Sequence, residues 1–341
     1  MSDTTSTTSD PTGDTATARH VPRLGRDLSV VGLGCWQLGA DWGEVSESDA
    51  SATVVAALDA GVTFLDTADV YGDGRSERIV GAVAAARPER PFVATKAGRR
   101  ADPHVPEQFT EANLRAWVER SRQNLGVDTL DLVQLHCPPS PVYSDDRVFD
   151  VLDALVDEGV LAAYGVSVER CDEALTAIAR PGVATVQIIL NAFRLKPLDE
   201  VVPAAQEAGV GIIARVPLAS GLLSGRYDAS TTFAENDHRT YNREGQAFDV
   251  GETFSGVPFD VGLRAVEELR EVAGERPLAE LALRWVVDTP GVTTVIPGAR
   301  NPDQARRNAA VMTSAPLTDD QRRAVRETYD RHVRPVVHDR W

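Results

Sequence analysis

Asp66, Tyr71, Lys96 and His136 are the residue types of a proton-donor assembly. Each falls at or just beyond the C-terminal end of a stretch that reads as a buried strand: 62–66, 92–96 and 130–136, with Tyr71 on the loop after the first. Adding hydride to a carbonyl places negative charge on its oxygen, and a proton must follow. A phenol has an ordinary pKa near 10, so at neutral pH it is protonated but a poor acid. An adjacent ammonium stabilises the phenolate and draws that value down. Lys96 suits this task as a compact point charge, where arginine would be larger and forked. Asp66 would keep the lysine charged and oriented, and His136 could hydrogen-bond the substrate oxygen. Taken singly, each residue has a plainer reading. Asp66 and Lys96 could be a structural ion pair, Tyr71 a turn residue before Gly72, and His136 a satisfied histidine at a strand end.

Four such residues meet only if the chain brings distant strand ends to one place. Short apolar runs alternate with longer amphipathic ones, the pattern of repeated β-α units around a parallel sheet. Strands are expected at 30–35, 62–66, 92–96, 130–136, 162–167, 185–190, 211–216 and 293–297. Helices are expected at 48–60, 76–86, 111–125, 148–158, 171–179, 198–208 and 303–311. In 111–125, Leu114, Trp117, Val118, Ser121 and Leu125 recur at helical spacing, and Gly126 supplies a C-cap. Eight strands in this order predict a (β/α)8 TIM barrel of α/β class, in which C-terminal strand ends converge on one rim. Residues 1–20 read as a disordered tail and 21–341 as one barrel domain, with an outer amphipathic helix at 318–333. The polar stretch 218–260 breaks the rhythm and reads as a long rim loop, either a lid or a surface insertion.

Composition narrows the function. The 341 residues carry a formal charge of −16, which disfavours nucleic acid and anionic lipid as partners. No apolar run reaches the ~20 residues of a membrane helix. Cys35, Cys137 and Cys171 are odd in number and widely spaced, which argues against a disulfide framework or a zinc finger and for a reducing, cytoplasmic setting. With six histidines, and only His136 at a strand end, metal-assisted hydrolysis lacks ligands, so no metal is expected. Arginine supplies 33 of the 35 basic residues, and Lys96 is one of the two exceptions.

From about Val21 to the last helix the chain resembles the aldo/keto reductases, and among them bacterial members akin to potassium-channel β subunits. The resemblance is carried by FLDTADVYGDGRSE (64–77), VATKAG (93–98), LVQLHCP (132–138), GVS (165–167), VPLASGLLSGRY (216–227) and VIPGARNPDQARRN (295–308). It implies hydride transfer between NADPH and a small carbonyl substrate, with Tyr71 as acid, Lys96 and Asp66 tuning it, and His136 as orienter or relay. No G-x-G-x-x-G occurs, so a Rossmann cofactor site is not expected. The resemblance lays the nicotinamide cofactor across the barrel rim, with Ser167 and Gln187 at the carboxamide. Pro217, Leu218, Ser220 and Arg226 fall at the pyrophosphate region. Gly298 and Arg300 fall at the adenosine 2′-phosphate, and Gln304 and Asn308 at the adenine. Arg300 also precedes a helix starting near Pro302, whose N-terminus favours an anion, which points to NADP over NAD.

Three positions depart from the family pattern. Val168 replaces an amide or arginine, Arg215 stands where an aromatic ring often stacks on the nicotinamide, and Arg307 replaces a glutamate before Asn308. Trp36 could be a pocket wall or core packing, and Phe233, Tyr241 and Phe248 of the rim loop could close over a substrate. A second function class is a cofactor-binding redox sensor or partner module with little turnover. The channel β subunits that resemble this chain commonly carry asparagine at the position of His136. The sequence leaves the physiological substrate, reaction direction and oligomeric state unread.

Overall fold

The computed structural model describes residues 16–39, 45–235, 237–247 and 249–341. Residues 1–15 of the expected tail, and Phe248, lie outside them.

Eight parallel strands form one curved sheet: β3 (Leu33–Gly34), β4 (Phe64–Asp66), β5 (Phe92–Ala97), β6 (Leu132–His136), β7 (Tyr164–Ser167), β8 (Val183–Ile189), β9 (Gly211–Arg215) and β10 (Thr294–Val295). Each pairs with its sequence neighbour. Parallel bridges Val31–Val295 and Gly34–Gly298 join the last strand to the first and close the barrel. The seam is made by Gly32 N donating to Val295 O (2.8 Å) and Gly34 N to Pro297 O (3.1 Å). Because isolated bridges carry this seam, β3 and β10 are shorter than the expected 30–35 and 293–297. The central strands are buried on both faces, which is why they read as near-continuous apolar runs.

Helices α1 (Glu47–Asp59), α2 (Arg75–Ala85), α3 (Glu111–Leu125), α4 (Asp146–Asp157), α5 (Cys171–Ile178) and α6 (Val201–Ala208) alternate with these strands. They are followed by a single turn α7 (His238–Tyr241), then α8 (Phe259–Ala273), α9 (Leu278–Asp288), α10 (Pro302–Ala310) and α11 (Asp319–Thr328). Helix α3 shows why the pattern was legible. Thr110 caps it by accepting from Asn113 N, and Gly126 ends it at φ 67°. Leu114, Val118 and Leu125 bury one stripe, each worth about 1.5–3 kcal/mol relative to exposure. The expected outer helix 318–333 stops being α-helical at Thr328, and Tyr329–Val333 continue as a wider π turn.

The 1–20 tail needs correction at its end. Ala18–Val21 (β1) pairs antiparallel with Arg26–Ser29 (β2), so residues 18–20 belong to a hairpin. Val21 and Leu28 pack with Phe64, Phe92, Ala94, Leu132, Ile213 and Ile296 as one apolar cluster, plugging the barrel at its N-terminal end. Arg23 locks the hairpin by donating to Arg180 O (2.6 Å), Val183 O (2.8 Å) and Ala208 O (2.9 Å). Only two residues of the hairpin strands face the barrel floor, too few to give a periodic signal.

Among the described residues no helix is long and apolar enough to cross a membrane. Cys35, Cys137 and Cys171 are buried free thiols.

Candidate active site

The parallel register sets the height of the site. His136 pairs with Ser167 and Ser167 with Gln187, placing these three on one level at the C-terminal rim, while Lys96 pairs with Gln134 one level below. Tyr71 follows β4 on a tight turn. Gly72 has φ +56°, and a Cβ there would lie 2.3 Å from Gly39 O, so only glycine lets the turn approach the first-strand loop this closely. Tyr71 stacks on Trp36 (ring centroids 6.0 Å, interplanar 20°) and meets His136 edge-on (6.0 Å, 88°).

Beneath the tyrosine lies a buried polar chain. Lys96 Nζ donates to Asp66 Oδ1, to Thr67 O (2.9 Å) and to the Tyr71 hydroxyl (3.4 Å). The second oxygen of Asp66 accepts from Gln134 Nε2 (3.1 Å) and Gln187 Nε2 (2.7 Å). Burial pulls the Lys96 pKa down, but the Asp66 carboxylate and Tyr71 more than offset this, so the ammonium is held above its ordinary value. Burial pushes the Tyr71 phenol up to about 12 despite Lys96, with Asp66 and Glu252 adding to the rise. Lys96 pulls the phenol down, as expected, but desolvation of the phenolate outweighs the ammonium, so the net shift is upward. Tyr71 is fully protonated across the neutral range.

His136 is held well below its ordinary value by burial and by the charges of Arg99, Lys96, Arg215 and His104, so its imidazole is neutral. Its Nδ1 is buried without a hydrogen-bond partner. An orphaned acceptor costs less than an orphaned N–H, which assigns the proton to Nε2, the nitrogen left to serve a ligand.

One cleft of about 1540 Å³ joins the rim. It is lined by Trp36, Asp66, Tyr71, His136, Ser167, Gln187, Arg215, Pro217, Leu218, Ser220, Arg226, Gly298, Arg300, Gln304 and Asn308. Of the expected catalytic and cofactor-binding residues, Lys96 alone does not line it, sitting 1% exposed behind Tyr71. The volume exceeds the 300–1,000 Å³ of ordinary small-ligand pockets, leaving room for a dinucleotide and a second molecule.

Several lining residues have duties the sequence did not reveal. Gln187 spends its amide N–H on Asp66, leaving the carbonyl for a ligand. Ser220 Oγ donates to Glu252 O (2.8 Å) and accepts from Phe254 N (3.1 Å), so only its backbone is open. Gln304 Oε1 accepts from Arg300 N (2.8 Å), and Asn308 Nδ2 donates to Gly298 O (3.1 Å), bracing the 298–301 turn. Arg215 is paired with Glu252 and donates to Val168 O (2.9 Å), so its charge is neutralised within the protein. The 218–260 stretch is correspondingly no loose insertion. Glu252, Ser255 and Phe254 are buried against β9 and the β8 loop, Asn191 Nδ2 donates to Ser255 Oγ (2.8 Å), and Phe233 packs on Phe254 and Phe259. The C-terminal Trp341 donates to Asp249 and stacks under Arg194 (3.8 Å), pinning the segment from outside.

Gln134, Arg99 and Glu252 were missed. Gln134 had a signal, a polar residue in the middle of the apolar strand LVQLH. Arg99 and Glu252 had none, because their roles depend on what the fold brings near them. Among the described residues no group of three or more His, Cys, Asp or Glu could hold a metal ion.

Asp69 lies three residues after Asp66, is fully buried, and neither carboxylate oxygen accepts a hydrogen bond. Burial, then Glu77, push it up to about 7, against Arg100 and Arg120. A carboxyl whose folded pKa exceeds its unfolded value near 3.9 binds protons better when folded, so stability falls as pH rises from about 4 to 7. Asp69→Asn, neutral throughout, should raise Tm by a few degrees at pH 8 and by nothing near pH 4. The full shift is worth at most ~4 kcal/mol. Melting curves between those pH values test this, and a pH-independent difference would refute it.

A closed parallel barrel with tyrosine, lysine, carboxylate and imidazole at the C-terminal rim beside a dinucleotide-sized cleft defines a carbonyl oxidoreductase class. The sequence profile of the aldo/keto reductase family matches residues 30–330. Aldo-keto reductase YhdN of Bacillus subtilis is 30% identical over 305 residues, spanning 87% of this chain and 89% of its own. The Schizosaccharomyces pombe relative named "Aldo-keto reductase yakc [NADP(+)]" is 26% identical over 326 residues, spanning 90% and 91%. The glycerol dehydrogenase AKR11B4 from Gluconobacter oxydans superposes with a TM-score of 0.77 at 30% identity, covering 93% of this chain and 96% of that one. The chain belongs to the aldo/keto reductase family and is an oxidoreductase.

Proposed function

We propose that the protein is an NADP(H)-dependent reductase of aldehydes and ketones, running in reverse as an alcohol dehydrogenase, with Tyr71 as general acid. The carrying observation is the buried chain Asp66–Lys96–Tyr71, which ends in a protonated phenol facing the cleft beside His136. Bound NADPH would supply hydride to the carbonyl carbon and leave as NADP+. The residues do the rest. His136 Nε2–H donates to the carbonyl oxygen and fixes its position. Tyr71 passes its proton to the alkoxide, a far stronger base than a phenolate, so a pKa near 12 still permits the transfer. Lys96 then donates to the phenolate oxygen, and Asp66, held by two glutamine amides, keeps Lys96 charged. Solvent reprotonates Tyr71 through the open cleft.

The cofactor residues fit NADP. Arg300 is exposed at the cleft edge and has no ion-pair partner among the described residues. It sits at the N-terminus of α10, where Asn301 caps the helix and free N–H groups favour an anion. The relative named with NADP(+) supports the same choice. Ser167 and the Gln187 carbonyl suit the carboxamide, and the backbone of Pro217, Leu218 and Ser220 with Arg226 suits the pyrophosphate.

Loss of NADPH absorbance with a panel of aldehydes and ketones tests the reading. Tight NADPH binding without turnover on any of them would overturn it in favour of a sensor. Arg300→Ala should weaken NADPH binding roughly tenfold, the low end for a charge-assisted contact at an exposed site, and leave NADH affinity nearly unchanged. Equal losses for both cofactors would refute the 2′-phosphate assignment.

A further inference from the structure

The cleft wall carries a cation that lies outside the proposed cofactor site and makes no side-chain hydrogen bond among the described residues. Arg99 leaves β5 after Gly98, which turns the chain at φ +106° over the face of Phe109; a Cβ at Gly98 would lie 2.7 Å from that ring. The turn delivers the Arg99 guanidinium to the cleft wall. Its nearest carboxylate, Glu169 Oε1, is 3.7 Å from Nη1, beyond hydrogen-bond distance, and that oxygen is itself buried with no hydrogen-bond partner. The Arg99 side chain makes no hydrogen bond among the described residues, though it is only 27% exposed. The other cations nearby are engaged: Lys96 by Asp66, Arg215 by Glu252 and Arg239 by Asp237. Burial disfavours the guanidinium charge, but the nearby Glu169 and Glu252 help hold it on; what the protein leaves unfilled are its N–H donors, which a ligand's acceptors would satisfy. Glu169 lies too far to accept a hydrogen bond from it, and burial, Asp249 and Glu252 push that carboxyl up to about 7 against the pull of Arg215 and Arg99.

Barrel order places Arg99 apart from the proposed cofactor seat. Arg99 follows β5, and in the closed ring β5 lies opposite β9, whose following segment 216–226 is the proposed pyrophosphate seat. Arg300 and Arg307 follow β10, also across the ring. Tyr71 follows β4 and His136 ends β6, so Arg99 rises between the proton donor and the oxygen-orienting histidine. A carbonyl compound held by those two residues would have Arg99 within the same stretch of cleft wall. With a net charge of −16, the protein at large repels anions, so an anionic substituent needs a local cation to hold it.

Resting on the reductase reading above, we propose that the substrate is an aldehyde or ketone bearing an anionic group, with Arg99 gripping that group while Tyr71 and His136 hold the carbonyl oxygen. The guanidinium fork matches both carboxylate and phosphate.

Matched pairs test it at saturating NADPH: 4-oxobutanoate against butanal, 4-carboxybenzaldehyde against 4-methylbenzaldehyde, and glyceraldehyde 3-phosphate against glyceraldehyde. The anionic member of at least one pair should have a kcat/KM higher by about tenfold or more, expressed mainly in KM. Preference confined to the carboxylate pairs or to the phosphate pair tells which anion the site takes. Arg99→Gln should bring the preferred ratio close to one, and Arg99→Lys should keep part of it, which separates charge recognition from a folding defect. Equal rates within every pair, or a preference that survives Arg99→Gln, would overturn the proposal while leaving the reductase reading intact. Absence of turnover on both members of every pair would instead overturn that reading and the proposal with it.

Discussion

Tyr71→Phe should lower kcat for aldehyde reduction on the order of 10³-fold, within the 10²–10⁴ range of a general acid. NADPH affinity should stay close to the parent. The substitution removes one hydroxyl and leaves the ring that stacks on Trp36 and meets His136, so packing is preserved. His136 cannot take over the proton transfer, because burial and three neighbouring cations, Arg99, Lys96 and Arg215, hold its imidazole neutral. Stopped-flow traces of NADPH oxidation, with cofactor affinity from fluorescence titration, separate chemistry from binding. Turnover within a few-fold of the parent would eliminate Tyr71 as the acid.

The second large effect concerns the pair beneath it. The Lys96 and Asp66 side chains are 1% and 3% exposed, so neither charge is solvated by water. Lys96→Met leaves the Asp66 carboxylate facing two glutamine amides and no cation, which should cost about 3–5 kcal/mol of stability. It should also abolish turnover, since the Tyr71 phenolate loses its nearest donor. The double substitution Asp66→Asn with Lys96→Met removes both charges together and should recover most of the stability with none of the activity. Denaturant unfolding of the parent, single and double variants gives the comparison. A single variant as stable as the parent would show that the pair is hydrated or that Asp66 takes up a proton at little cost.

Much of the fold was legible because it rests on local patterns. The range 111–125 matched helix α3 residue for residue, since its cap, apolar stripe and terminal glycine lie within one short segment. The central strands were found as apolar runs because both their faces are covered. The hairpin 18–29 escaped because its two buried apolar residues matter only against a barrel floor assembled from four other strands and Ile296. The rim stretch 218–260 looked polar and loose, yet its ordering depends on partners far away in the chain. Glu252 meets Arg215, Ser255 meets Asn191, and Asp249 meets Trp341.

The candidate site divides in the same way. Sequence alone determined which reactive types are present, that they fall at strand ends, and hence that they share a rim, because β-α alternation leaves few topologies open. It determined that a lysine stands at 96 in a chain that otherwise uses arginine. Only the tertiary structure decided how those groups behave. Burial, a collective property of the closed barrel, sets the Tyr71 phenol above its ordinary value although a lysine sits beside it. Two glutamines from β6 and β8 converge on Asp66 across the ring, a meeting that no spacing along the chain encodes. And whether a guanidinium's donors are spent is a question of distance: Arg215 hydrogen-bonds its carboxylate, whereas Arg99, across the ring, faces Glu169 only at 3.7 Å.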